Sequence, residues 1–397
     1  MHTEGPLRGL WVPDYGGGST VELMASIIRS RGGTSPHADL DGLPAAALAG
    51  VRSLLYLVVD GLGLAQLGRH LRAGQGQRFF AAHPHASITT VFPATTAAAV
   101  TTFDTGASPA EHGILSWFLH LPDHGCIATV LRTTTRIGTP LFPDDYDLQA
   151  YYAVPSYIAT VKDALGLLSW GEIPNVPFGR VGTLWADKRR YDDLDGLVAT
   201  AAGFAAEPGR RLAYVYWPRY DGLCHERGCT DPEVDAHFDA IDDALARLVT
   251  ALAGTDTMLV VLADHGLVDV PAERCVDLAQ VPGLAECLAT APAGDQRQMS
   301  LFVRPRKQEA FARVFDRHLA HACRAVPGEA MLAAGVYGPG APHPALESRV
   351  GDVVLLSHEG WGMIHTPPGV KPLVMSGSHG GMSPAEVRIP LFSVHCP

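Results

Sequence analysis

The chain has no extended basic run and no long apolar stretch, and its cysteines show no paired spacing. Lysine and arginine number 30 against 41 aspartates and glutamates, a formal net charge of −11, and the longest basic run is Lys188-Arg189-Arg190. Nucleic-acid backbones are bound through basic patches, so no nucleic-acid polymer is expected as a partner. Apolar runs such as LLYLVV and MLVVLA are strand-sized, whereas a spanning helix needs about 20 apolar residues; no membrane partner is expected either. The opening MHTEGPLRGLWVPDYGGGST lacks a basic region followed by an apolar one, so no secretory signal is expected. Seven cysteines, an odd number, fit free thiols in a reducing compartment, and the cytoplasm is the expected location. The glycines of DGLGLAQLG miss the G-x-G-x-x-G spacing, which excludes a dinucleotide fingerprint there.

What is present is a chain of 397 residues, 47% hydrophobic, long enough for a sizeable core. STVELMASIIRSRG reads as a helix that starts at a Ser/Thr cap and stops near glycine. RSLLYLVVDGLG reads as a buried strand broken at Asp60-Gly61, and RRLAYVYWPRYDG and DTMLVVLADHG read as two more. Between the last two, PEVDAHFDAIDDALARLVTALAG carries apolar residues at helical spacing with Gly254 as a stop. Strands alternating with helices predict an α/β protein with a largely parallel sheet. Two regions interrupt the alternation. One, 117–209, is rich in Pro, Tyr and Trp; the other, 270–372, contains a predicted helix QEAFARVFDRHLAHAC. With no internal repeat and no low-complexity linker, the expectation is one composite domain over 1–397, with 117–209 and 270–372 as inserted cap regions.

The strand ends carry the chemistry. In open α/β sheets ligands bind beyond the carboxyl ends of the strands. There the sequence delivers Asp60, then Asp221 with His225 four residues on, then Asp264-His265, and near the C-terminus His379 in the glycine-rich SGSHGGMSP. A lone aspartate after a strand is usually a turn or a cap, and a lone histidine usually a surface or satisfied residue. Three aspartates and three histidines, each where a strand hands over to a loop, are far less expected by chance. Mixed oxygen and nitrogen donors suit zinc or another divalent transition ion, and six are enough for two metals.

One further stretch, VFPATTAAAVTTFDTG, places Thr95 and Thr96 directly before three alanines. Threonine is a mediocre helix former and alanine the best, so the stretch predicts a helix start with a hydroxyl at its first turn. That hydroxyl is either a helix cap or a nucleophile held where a helix N-terminus attracts anions.

Taken together these motifs resemble the alkaline-phosphatase superfamily, in its nucleotide pyrophosphatase/type I phosphodiesterase branch. LVVDGLG is similar to the first metal-aspartate strand of that branch, FPATTAAAVTTFDTGASPAEHGI to its nucleophile segment, and DGLCH, ADHG and GSHGG to its remaining metal motifs. The resemblance covers the chain from about Leu54 to the end, with five motifs in order. It implies an alkaline-phosphatase-like core, a largely parallel central sheet flanked by helices and carrying a cap, and two zinc ions, with manganese as the alternative. One ion would be held by Asp221, His225 and His379, the other by Asp60, Asp264 and His265 together with the nucleophile Thr96. Thr95 is the second candidate for that role, with a cap or supporting hydroxyl as its other reading. Many members carry an asparagine three residues after the nucleophile; here Ala99 stands in its place. The resemblance assigns no metal role to His112, which reads as a turn residue, and Cys224, His358 and His365 read as bystanders.

The activity implied is two-metal hydrolysis of a small phosphodiester or nucleotide-like pyrophosphate through a phosphothreonine intermediate. Two alternatives stand beside it. A phosphomonoesterase or phosphonate hydrolase on the same metals would need a further cation facing the substrate, with Lys188 and Arg219 as candidates. A non-catalytic metal-binding scaffold would keep the fold without turnover, and the complete ligand set weighs against it.

Overall fold

The computed structural model describes residue 5 and residues 7–141, 156–170 and 187–397. At its centre lies β1 (Ser53–Val59), buried at all seven positions. An unbroken apolar run of this kind belongs to a strand covered on both faces. β1 pairs in parallel with β8 (Arg211–Trp217) on one side and β9 (Thr257–Leu262) on the other. Beyond β8 the sheet continues in parallel through β6 (Ala164–Trp170) to the edge strand β7 (Asp187–Tyr191). Beyond β9 comes the antiparallel β18 (Arg388–Cys396) and then β2 (His85–Thr89). β18 is thus the one strand of the seven that runs against the rest, and the largely parallel α/β sheet expected from the sequence is the sheet observed.

Helices flank this sheet, and the sequence explains their limits. Pro232–Leu252 starts at Asp231, whose side chain accepts from the Glu233 N–H, and buries Val234, Phe238, Ile241, Leu245, Leu248 and Leu252 at three- and four-residue spacing. Thr20–Ser30 starts with the reciprocal Ser19–Glu22 capping box and packs against the helix Thr96–Thr105. No described helix is long and apolar enough to cross a membrane.

A second seven-stranded sheet is antiparallel throughout. Its order is β14 (Cys323–Pro327), β15 (Val353–Ser357), β13 (Gln298–Leu301), β12 (Ala293–Asp295), β3 (Phe118–Leu121), β4 (Cys126–Thr129) and β5 (Thr134–Thr135). Both interrupting regions build it, since Phe118 of β3 pairs with Gly294 of β12. Of the span 117–209, β3, β4 and β5 join this second sheet, whereas β6, β7 and the helix Leu194–Ala206 extend the main one; residues 142–155 and 171–186 of that span lie outside the described residues. Two short pairs complete the strands: β10 (Val268–Asp269) with β17 (Gly377–Ser378), and β11 (Cys275–Asp277) with β16 (Gly362–Ile364).

The helix Thr96–Thr105 sits at the seam between the two sheets. Its Ala98, Ala99 and Phe103 belong to the core of the main sheet, while Phe92 and Ala97 belong to the core under the second. The start of that helix is therefore fixed from both sides.

Candidate metal centre

Register brings the site together. Val59 lies opposite Trp217 and Val58 opposite Leu262, so β1, β8 and β9 end level and their outgoing segments emerge at one edge. Asp60 comes directly after β1. After β8 the chain enters the helix Arg219–Arg227, whose first and second turns carry Asp221 and His225 on one face. After β9 come Asp264 and His265. The pairing of Val268 with Ser378 then draws the late segment alongside and sets His379 next to His265; their rings stack with centroids 3.7 Å apart.

Backbone and side-chain donors hold one oxygen of each carboxylate and leave the other bare. Asp264 Oδ1 accepts from the N–H groups of Gly61 and His265, both at 3.0 Å. Asp60 Oδ2 accepts from the Tyr216 hydroxyl. Asp221 Oδ2 lies 2.9 Å from His225 Nε2, and His225 Nδ1 lies 2.7 Å from the Gly377 carbonyl. Asp60 Oδ1, Asp221 Oδ1 and Asp264 Oδ2, by contrast, are buried without a hydrogen bond, facing His265 Nε2 at 3.4 and 3.6 Å from Asp60 and Asp264 and His379 Nε2 at 3.9 Å from Asp221. Burial, with Asp264 and Asp221 as like-charged neighbours, pushes the Asp60 carboxyl well above the usual carboxylate range. Burial together with the neighbouring His265 holds His379 well below the ordinary histidine value, the neutral form a ligand requires.

Bare buried carboxylate oxygens are costly, and a divalent cation is the group this donor set fits. The donors form two overlapping triads, Asp60–Asp264–His265 and Asp221–His265–His379, with ligand atoms all within 4.8 Å of one another in each. His225 joins through its contact with Asp221. All six residues expected from the sequence are thus within one cluster.

Thr96 opens the helix at the seam, half-buried, with Oγ1 3.1 Å from His265 Nε2. Thr95 precedes it as the N-cap in extended conformation, almost fully buried, yet makes no capping bond. Ala99, fully buried, faces the main core. Arg219 is engaged by Glu226 at 2.9 Å, and Lys188 sits on the edge strand β7. His112, read from the sequence as a turn residue, is the buried last residue of the short helix Pro109–His112, and its Nδ1 accepts from the Ile114 N–H at 3.0 Å.

Two neighbours of the cluster were not singled out from the sequence. Tyr216 belongs to an aromatic run that reads as core, and only its place in register with Val58 next to Asp60 reveals its contact. Asp295 ends a three-residue strand of the second sheet. Its carboxyl is pushed up to about 6 by burial, against the lowering effects of Thr95, the Trp117 N–H and, at longer range, His265 and His225. No local pattern in the sequence marks it.

The sequence profile of the family described as Type I phosphodiesterase / nucleotide pyrophosphatase matches residues 54–382. A comparison with curated protein sequences returns no match. Among solved structures the chain is similar to human ectonucleotide pyrophosphatase / phosphodiesterase 5, with 17% identity over 86% of this chain and 87% of that one and a TM-score of 0.61. The murine protein of that name gives 17% identity, coverage of 85% and 87%, and a TM-score of 0.58. Phosphonoacetate hydrolase from Sinorhizobium meliloti 1021, in complex with phosphonoformate, gives 17% identity, coverage of 86% and 90%, and a TM-score of 0.58. At such identity the likeness is one of fold.

Proposed function

Since the chain belongs to the type I phosphodiesterase / nucleotide pyrophosphatase family of the alkaline-phosphatase superfamily, we propose that it hydrolyses small phosphodiesters or nucleotide-like pyrophosphates at two divalent metal ions, zinc first among them, with Thr96 as the nucleophile. The observation that carries this reading is the set of three bare carboxylate oxygens clustered with His265, itself 3.1 Å from the Thr96 hydroxyl. Asp60, Asp264, His265 and Thr96 would hold one ion, and Asp221, His225 and His379 the other. When bound, such ions supply Lewis-acid stabilisation of the attacking and leaving oxygens and acidify the threonine hydroxyl.

The chain's own residues do the rest. His265 Nε2, 3.1 Å from the Thr96 oxygen, sets the two as neighbouring donors toward one ion, and the unmade first-turn N–H groups of the helix favour an anion there. Thr96 Oγ1 bonds to phosphorus as the bond to the leaving oxygen breaks. The leaving group departs with that electron pair and takes up a proton. Water then attacks the phosphothreonine and frees Thr96.

Metal analysis together with hydrolysis of bis-nitrophenyl phosphate and nitrophenyl phosphate on one sample tests the proposal. About two zinc per chain, faster turnover of the diester, and loss of that turnover in Thr96→Ala are the expected results. Thr96→Ala hydrolysing like the wild type would remove the assigned nucleophile. Faster monoester turnover would move the reading to a phosphatase, cleavage of phosphonoacetate alone to a phosphonate hydrolase, and absence of metal and turnover to a scaffold.

A further inference from the structure

His379 and the group that orients His225 lie on one short segment. The Ser376 N–H donates to the His225 carbonyl at 2.9 Å, and His225 Nδ1 donates to the Gly377 carbonyl at 2.7 Å. That bond leaves His225 Nε2 turned toward Asp221 Oδ2, 2.9 Å away. A side chain on Gly377 would meet the Cys224 carbonyl oxygen at 2.7 Å, so the helix Arg219–Arg227 packs directly on this segment. Of the three donors assigned to the second ion, His225 and His379 therefore depend on where the segment lies.

The segment is held from the second sheet. The turn between β12 and β13 presents Gln296 and Arg297, which are 3% and 2% exposed. The Gln296 amide bridges both backbone groups of one residue. Its Nε2 donates to the Met375 carbonyl and its Oε1 accepts from the Met375 N–H, each at 2.9 Å. Gln296 is itself fixed, since its carbonyl accepts from the Met363 N–H at 2.7 Å and a side chain on Gly362 would meet its Cγ at 3.0 Å. Beyond His379, Arg297 Nε donates to Glu386 Oε1 at 3.1 Å, and the same oxygen accepts from the Gly381 N–H at 2.9 Å. Adjacent residues of one turn thus hold the chain on either side of His379. The donors of the first ion are held differently: Asp60 by the Tyr216 hydroxyl of β8, and Asp264 by the N–H groups of Gly61 and His265.

We propose that Gln296 is a positioning residue for the second ion: by bridging Met375 it sets the Gly377 carbonyl against His225 and places His379 near Asp221. The second sheet then governs affinity at one ion and leaves the other to the main sheet. The inference rests on the two-ion reading given above. It also gives the second sheet a part in the metal centre, although all six metal donors come from outside its strands.

Zinc titration against a chromogenic chelator is the readout, with two binding steps resolved in the wild type. His379→Ala removes a donor and so identifies the step that belongs to the second ion. Gln296→Met keeps an unbranched side chain and loses both amide bonds. It is expected to weaken that step about tenfold and the other by less than about twofold. Urea unfolding of the chelated variant is read beside the titration. A merely structural role would lower the midpoint and leave both zinc affinities unchanged or weaken them equally. Either of those results overturns the proposal. Should Gln296→Met not fold, Gln296→Glu fills the same space, keeps the acceptor for the Met375 N–H and loses the donor, and the same selective loss is expected of it. Wild-type protein that binds no zinc refutes the two-ion reading and this inference together. Two zinc ions held equally well by the wild type and by Gln296→Met refute this inference alone.

Discussion

Replacing Tyr216 by Phe removes one hydroxyl and keeps the ring, which makes it a clean probe of how the proposed metal centre is held. The hydroxyl donates to Asp60 Oδ2, and Asp60 is 4% exposed, so no solvent takes its place. A hydrogen bond to a charged group contributes about 1.5–3 kcal/mol, which at 1.36 kcal/mol per decade converts to roughly 10- to 150-fold. Part of that is recovered when the carboxyl, already pushed up by burial, Asp264 and Asp221, takes a proton in the metal-free protein. Losing the Tyr216 bond raises that tendency further, so protons compete better for Asp60. The expected outcome is zinc affinity lowered by about 10- to 100-fold, the range seen when partners of metal ligands are removed, with turnover restored at saturating zinc. Competition with a chromogenic chelator measures it, and the deficit should widen as pH falls because the competitor is a proton. A change of less than about threefold would show that Asp60 is oriented by other means.

The remaining predictions concern the apo site and the helix. In chelated protein burial lowers the His225 imidazole, but Asp221 beside it outweighs that and pushes it up to about 9. A folded value raised above the ordinary one stabilises fully below about pH 6.5 and loses that contribution as pH climbs through about 9. The urea midpoint with a chelator present is therefore expected to fall across that interval. With zinc bound, His225 has already given up its proton and the fall should vanish; an unchanged slope would separate His225 from the metal. Ala99→Asn, which restores the side chain common in the family, is expected to cost about 2 kcal/mol rather than improve the enzyme, because Ala99 is fully buried in the main core. Chemical denaturation checks the cost, and a variant as stable as wild type would mean that the position opens toward the site.

How much of this was legible in the sequence depends on what each feature needs from the fold. β1, β8 and β9 each announce themselves as apolar runs ending near an aspartate, and parallel register sets their ends level, so Asp60, Asp221 and Asp264 group together by their place at strand ends. His225 follows from helical spacing and His265 from adjacency to Asp264. Tyr216 was hidden by its neighbours. Tyr214, two residues earlier on the same strand, stacks on Tyr56 with ring centroids 4.9 Å apart and is plain core, and nothing local separates the two. The span 117–209 shows the related point that composition does not state pairing: β6 and β7 lie within it and extend the main sheet. Asp295 is the extreme case. Its place beside the Trp117 N–H depends on β12 meeting β3 at Gly294 and Phe118, a pairing that no sequence window spans. Chemistry at the ends of aligned strands can be read from pattern alone, whereas a contact across the seam of two sheets exists only once distant segments have paired. The seat of the helix Thr96–Thr105 between the two cores is a feature of the second kind, which is why a threonine before three alanines reads in the sequence equally well as a cap or as a nucleophile.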